Sequence, residues 1–234
     1  MPAVTELARL GARHGTVWTT EFQSAGTGRD RRAWIAAPGS ALLMSLLIKT
    51  VRPLNEIPVV SLLIGGCVRD TVAEFGISSL IKWPNDILAN RKKLCGILVR
   101  SSRSIHGDGL DLVVGIGLNL TLGSTIDLPE ATNLEAESGR LIARDIVQNR
   151  LLEHIGRMSE EFECGEIGPR ITGINNCLAY QGEGVSIQVG LNSISGTVEG
   201  VREDGALIVT TSTGGREYIV SGELQRGPIQ QGPR

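Results

Sequence analysis

Eighteen consecutive residues hold the chain's densest set of chemically capable side chains: Ile81-Lys82-Trp83-Pro84-Asn85-Asp86-Ile87-Leu88-Ala89-Asn90-Arg91-Lys92-Lys93-Leu94-Cys95-Gly96-Ile97-Leu98. Two apolar, strand-like runs, Ile87-Leu88-Ala89 and Leu94 to Val99, flank the polar tip Asn90-Arg91-Lys92, the pattern of a β-hairpin. Pro84 fixes its own φ and biases Trp83 toward extended backbone, so Asn85 and Asp86 follow a stiff corner. Across such a ribbon an acid, Asp86, and an ammonium, Lys93, can face one ligand, an arrangement no hydrophobic core requires. Upstream, Gln23-Ser24-Ala25-Gly26-Thr27-Gly28-Arg29-Asp30-Arg31-Arg32-Ala33-Trp34 sets two glycines and three arginines in one loop. Exposed N–H groups and clustered guanidinium suit a polyphosphate or a carboxylate, and a solvated surface turn is the competing reading. It is not a dinucleotide fingerprint, because the third glycine is missing and no helical pattern follows.

The surrounding elements must hold these groups in place. Val4 to Leu10 reads as a helix stopped at Gly11, and Thr16 to Phe22 as a strand. Ala41 to Ile48 is expected to be a buried strand containing Ser45. Apolar residues from Val60 to Phe75 recur at helical spacing and stop at Gly76. In the strand Leu110 to Leu120, alternation puts Gly115, Gly117 and Asn119 on one face. Two missing side chains leave a flat floor for a planar ring, or room for another backbone to pack closely. Leu141 to Phe162 marks a long amphipathic helix, and Gly165 to Asn176 reads as a connecting segment. From Ala179 onward, short strands at 185–189, 195–201, 206–209 and 217–220 with glycine turns between them indicate a small β-barrel. The expected division is therefore residues 1–177, residues 178–227, and a disordered tail at 228–234.

Composition narrows the function classes. The chain has 234 residues, 41% hydrophobic and 21% charged, ordinary for a soluble globular protein. A net charge of −2 argues against general nucleic-acid binding. The four cysteines show no C-x-x-C spacing and the three histidines no ligand spacing, so no metal site is expected and the thiols read as free in a reducing cytoplasm. No signal peptide or membrane span is apparent.

Together these motifs resemble the biotin protein ligases. Lys82-Trp83-Pro84-Asn85-Asp86 with Lys93-Leu94-Cys95-Gly96-Ile97-Leu98 resembles the K-W-P-N-D…K-L-x-G-I-L signature of that family. The loop from Gln23 to Arg29, followed by Trp34, is similar to its Q-x-A-G-R-G-R…W loop. Val114-Gly115-Ile116-Gly117-Leu118-Asn119 is similar to its V-G-I-G-x-N strand, and Gly196 to Leu207 to its C-terminal SH3-like domain. The resemblance implies an α+β fold: a seven-stranded mixed sheet with flanking helices, like class II aminoacyl-tRNA synthetases, plus an SH3-like barrel. It implies a form without an N-terminal DNA-binding domain, a monomer or homodimer, cytoplasmic, with no nucleic-acid or membrane partner. Biotin and ATP with Mg²⁺ would give biotinyl-5′-AMP, and the biotinyl group would pass to a lysine of a biotin carboxyl carrier protein.

Carried over by position, Lys93, Arg29 and Asp86 are the catalytic candidates. Gln23, Gly26, Thr27, Gly28, Arg29, Lys93, Gly96, Gly115 and Gly117 are the biotin-site candidates. Trp34, Asn85, Asn119 and Arg31 are the nucleotide-site candidates, with Trp34 expected over adenine and Asn119 at the edge of the glycine floor. Three features depart from the family pattern. Thr27 stands where the family has arginine, Asp30-Arg31 where many members have Arg-Gly, and Pro2-Ala3-Val4 in the register of a Ser-Thr-Asn stretch. Losing a guanidinium fork for a hydroxyl removes a bidentate anion contact. A protein that holds biotin or its adenylate without turnover is therefore the alternative reading, and a lipoate or octanoyl transferase the third.

Overall fold

A computed structural model of the chain describes residues 1–121 and 129–227. The tail expected to be disordered lies outside the described residues. Helix α1 (Pro2–Arg9) leads into β1 (Val17–Thr20) and the long strand β2 (Ala41–Thr50). Helix α2 (Val60–Ala73) precedes four strands, β3 (Leu80–Lys82), β4 (Asp86–Ala89), β5 (Lys92–Arg103) and β6 (Leu110–Asn119). After α3 (Leu134–Ser138) and the long α4 (Arg144–Cys164) comes α5 (Gly168–Asn175). The chain closes on β7 (Gly184–Val189), β8 (Asn192–Val201), β9 (Leu207–Thr211), β10 (Arg216–Ile219) and β11 (Glu223–Arg226).

Among the described residues the first sheet has six strands in the order β1-β2-β6-β5-β4-β3. Every neighbouring pair is antiparallel, which corrects the expected seven-stranded mixed sheet. From β3 to β6 the strands follow one another through short connections, which permit only antiparallel pairing. Near this sheet, parallel contacts among the described residues are confined to single bridges, Ile81 to Leu178 and Lys93 to Ala131.

Alternation along β2 and β6 sends two sets of side chains to opposite faces. Leu42, Met44, Leu46, Val114, Ile116 and Leu118 join α2 and α4 in the main core. On the other face α1 covers only one end, packing Val4 and Ala8 on Leu47 and Val113. The remainder of that face is the floor of a cavity.

Two expectations fail in the C-terminal half. The segment 165–176 is not merely a connection, because it contains α5, which buries Ile171 and Ile174. Its proline falls in the first helical turn, where a missing N–H breaks no helical hydrogen bond, so an apparent breaker begins the helix. The C-terminal sheet is not a closed barrel. It runs β10-β9-β8-β7-β11, with β11 unanticipated and the edge strands β10 and β11 unpaired with each other. Its apolar face, including Val185, Ile187, Leu207 and Leu224, is continuous with the main core. The two sheets are also joined by polar contacts. The buried Trp83 indole donates to the Gly205 carbonyl at 3.0 Å, and Asn175 of α5 exchanges two hydrogen bonds with Val201 of β8. None of the described helices is long and apolar enough to cross a membrane.

Candidate active site

Strand register builds the floor of the cavity. Leu43 of β2 stands opposite Gly117 of β6, Gly117 opposite Gly96 of β5, Gly96 opposite Asp86 of β4, and Asp86 opposite Lys82 of β3. A second row is Ser45, Gly115 and Leu98. Adjacent glycines on neighbouring strands remove two side chains from one patch and leave a trough bounded by an acid and a lysine. The cavity above it has a volume of about 340 Å³, within the range of small-molecule sites.

Simple alternation would turn Lys93 away from this trough, since Gly96 and Leu98 face it and position 93 has the opposite parity. A β-bulge reverses that. Asp86 pairs with Gly96 and Ile87 with Cys95, but Leu88 pairs with Lys93, so Leu94 is the extra residue. Leu94 goes into the core and the Lys93 side chain swings to the cavity, where its ammonium lies 2.7 Å from Asp86 Oδ1. The backbone there is braced: the Lys93 N–H donates to the Glu130 carbonyl, and the Thr132 N–H to the Lys93 carbonyl. The Asn119 amide donates to the Thr132 carbonyl at 2.9 Å and the Lys93 carbonyl at 3.4 Å.

The glycine-arginine loop folds back on itself as a small clasp. The Trp34 N–H donates to the Gly26 carbonyl at 2.9 Å, and the Gly28 N–H to the Arg32 carbonyl at 2.8 Å. A Cβ on Gly26 would stand 2.4 Å from the Trp34 carbonyl oxygen, so the clasp closes only with glycine there. This brings Trp34 onto the floor. A Cβ on Gly117 would lie 2.6 Å from the indole and one on Gly96 2.9 Å from it, so the ring occupies the space those side chains lack. Its Nε1–H is buried with no hydrogen-bond partner among the described residues, and the Lys93 ammonium is 5.5 Å from the ring centroid. The planar ring on the glycine floor is thus the protein's own.

Most candidate residues line this one cavity: Gln23, Thr27, Gly28, Arg29, Trp34, Asn85, Asp86, Lys93, Gly96, Gly115 and Gly117. Three do not. Gly26 serves the clasp, Asn119 braces the backbone behind Lys93, and Arg31 is exposed at a left-handed position, φ 59°. The Asn85 amide donates to the Ile97 carbonyl at 2.6 Å and steadies the corner after Pro84, whose peptide bond with Trp83 is cis. Thr27, at the arginine position of the family pattern, donates its hydroxyl to the Ala25 carbonyl at 3.2 Å.

The sequence profile of the biotin/lipoate A/B protein ligase family matches residues 6–119, which include the loop, the hairpin and β6. A bifunctional ligase/repressor BirA of Bacillus spizizenii is 31% identical, over 95% of this chain and 69% of its own length. The chain belongs to the biotin protein ligase family. A biotin–[acetyl-CoA-carboxylase] ligase of Paracoccus denitrificans is 28% identical, over 90% of both chains. The structure of biotin protein ligase from Aquifex aeolicus in complex with biotin and ATP superimposes with a TM-score of 0.82 at 27% identity, covering 95% of this chain and 94% of that one.

Several residues of the cavity wall were not singled out from the family motifs. Leu43 and Ser45 come from β2, and Glu223 and Leu224 from β11. Ser45 did carry a signal, a lone hydroxyl in an apolar strand. Glu223 carried none, because nothing local marks a residue whose partner, Arg32, lies 191 positions away.

Proposed function

We propose that this chain joins biotin to a carrier protein in two steps at this cavity. In the first, a carboxylate oxygen of biotin attacks the α-phosphorus of ATP. The bond to the bridging oxygen breaks and pyrophosphate leaves with the electron pair, giving biotinyl-5′-AMP. In the second, a lysine amine of the carrier adds to the acyl carbonyl. AMP leaves and the amine loses its proton, forming the amide. Both steps need positioning and charge neutralisation, and neither needs a covalent enzyme intermediate.

The observation that carries this reading is the bulge that sets Lys93 on the glycine floor, in one cavity with Arg29. Biotin lies on Gly96, Gly115 and Gly117 between Gln23, Thr27 and Gly28. Trp34 leaves the floor as the ligand arrives and covers the adenine. The ligand's anionic groups draw the Lys93 ammonium from Asp86, and the freed carboxylate receives the proton of the incoming lysine. Arg29 supports the charge developing at the α-phosphate. Magnesium enters on the nucleotide: among the described residues no three His, Cys, Asp or Glu side chains gather at one point. Mg²⁺ on a triphosphate needs only one or two protein carboxylates, and Asp30 lines the cavity with no ion pair among the described residues. The carrier is the biotin-accepting part of a carboxylase, as the name of the Paracoccus relative indicates, and the free thiols suit the cytoplasm.

The test is pyrophosphate release on mixing the purified chain with biotin and MgATP, then the mass of an added carrier domain. Release with biotin and a carrier heavier by one biotinyl group is the expected result. Absence of release, or equal release with lipoate, overturns the reading.

A further inference from the structure

A carboxylate from the C-terminal sheet stands in the cavity wall among cations. Both oxygens of Glu223 accept from the two terminal nitrogens of Arg32, and Arg29 Nη1 donates to the adjacent Gly222 carbonyl at 3.1 Å. Lys82, at the end of the floor row, also lines the cavity and makes no ion pair among the described residues. The hydrogen bonds from Arg32 lead in holding the Glu223 carboxyl below its ordinary range, and the charges of Arg32, Lys82 and Arg29 add to them.

The carboxylate is delivered by a packed element. Leu224 is buried and pairs with Ile187 of β7, and a Cβ on Gly222 would lie 2.8 Å from the Ile187 side chain. The cavity wall therefore carries Arg29, Arg32, Lys82 and Lys93 against Asp30, Asp86 and Glu223. Lys93 is held by Asp86 and Arg32 by Glu223. An anion fixed among guanidinium and ammonium groups occupies the kind of position that phosphate oxygens take.

We propose that Glu223 is a resident counter-anion of the polyphosphate end of this site, from which Arg32 exchanges onto the outer phosphates of the nucleotide when it binds. The proposal rests on the biotin and ATP reading for the identity of the nucleotide. Glu223 is then a specificity-determining residue supplied by the C-terminal sheet. It neutralises Arg32, keeps the arginine clasp closed without nucleotide and sets how much charge a ligand must bring to open it.

Pyrophosphate titrated calorimetrically into the 234-residue chain tests this without turnover, so its outcome is separate from whether adenylate forms. Glu223→Gln keeps the shape and removes the competing charge. It should bind pyrophosphate about three- to fivefold more tightly and lower the KM for MgATP by a similar factor, the size expected of a partly exposed ion pair. Glu223→Asp, which keeps the charge, should stay near the parent. With Arg32→Gln in the background, the gain from Glu223→Gln should vanish. Unchanged or weaker pyrophosphate binding by Glu223→Gln overturns the proposal, because Glu223 would then merely tether the loop or pre-form it for the ligand. The same gain without Arg32 overturns the exchange.

Discussion

Lys93 and Asp86 form one ion pair in the ligand-free cavity, yet the proposed chemistry asks different things of each. The ammonium must meet the ligand's anionic groups in the first step, so Lys93→Ala should slow pyrophosphate release by about 100-fold or more. Its far-ultraviolet circular dichroism should match the parent's, because the side chain is half-buried and the bulge is held by backbone contacts. In the proposed scheme Asp86 acts in the second step. In Asp86→Asn, biotinyl-5′-AMP should form at close to the parent rate and accumulate, while transfer to the carrier lysine slows. Quenched time courses of adenylate and biotinylated carrier distinguish the two, and equal slowing of both steps would remove Asp86 from the transfer step.

At the scale of elements, two devices make the site. The bulge in β5 selects which residue of a Lys-Lys-Leu run faces the cavity, and the clasp of the glycine-arginine loop places an indole on the glycine floor. Trp34 lies against Gly96 and Gly117 with its Nε1–H unpartnered among the described residues, so binding should move it to a different environment. Biotin with ATP should change the tryptophan emission of the parent, and Trp34→Phe should abolish most of that change, with Trp18 and Trp83 still present. A full response in Trp34→Phe would show that the indole stays in place.

For the molecule as a whole, the junction of the two sheets is a folding interface as well as a route by which β11 reaches the cavity. Trp83 spans it through its 3.0 Å hydrogen bond to the Gly205 carbonyl. Trp83→Phe removes a buried donor and leaves a buried acceptor, so urea unfolding should show a loss of about 1–3 kcal/mol. Thiol accessibility reports on the same packing. Cys67, Cys95 and Cys177 are buried, and burial pushes the Cys67 thiol up to about 12 and raises those of Cys95 and Cys177 as well. A disulfide reagent at pH 8 should react quickly with one thiol, Cys164, and with all four only after denaturation.

The hairpin, its Trp-Pro corner, the glycine face of β6 and the glycine stops after α1 and α2 are legible in the amino-acid string alone. They are consequences of backbone preference and two-residue alternation, which act over a few neighbouring positions. The segment holding α5 misled because proline and glycine serve both as breakers and as helix-end residues. Strand β11 is too short and polar to stand out. What only the tertiary structure decided is which groups meet. The bulge at Leu94 depends on pairing with β4, the indole reaches Gly117 through the closed clasp, and Arg32 meets Glu223 across 191 residues. Such contacts follow from packing between distant elements, where side-chain volume and charge are balanced across the fold, and no local pattern encodes them.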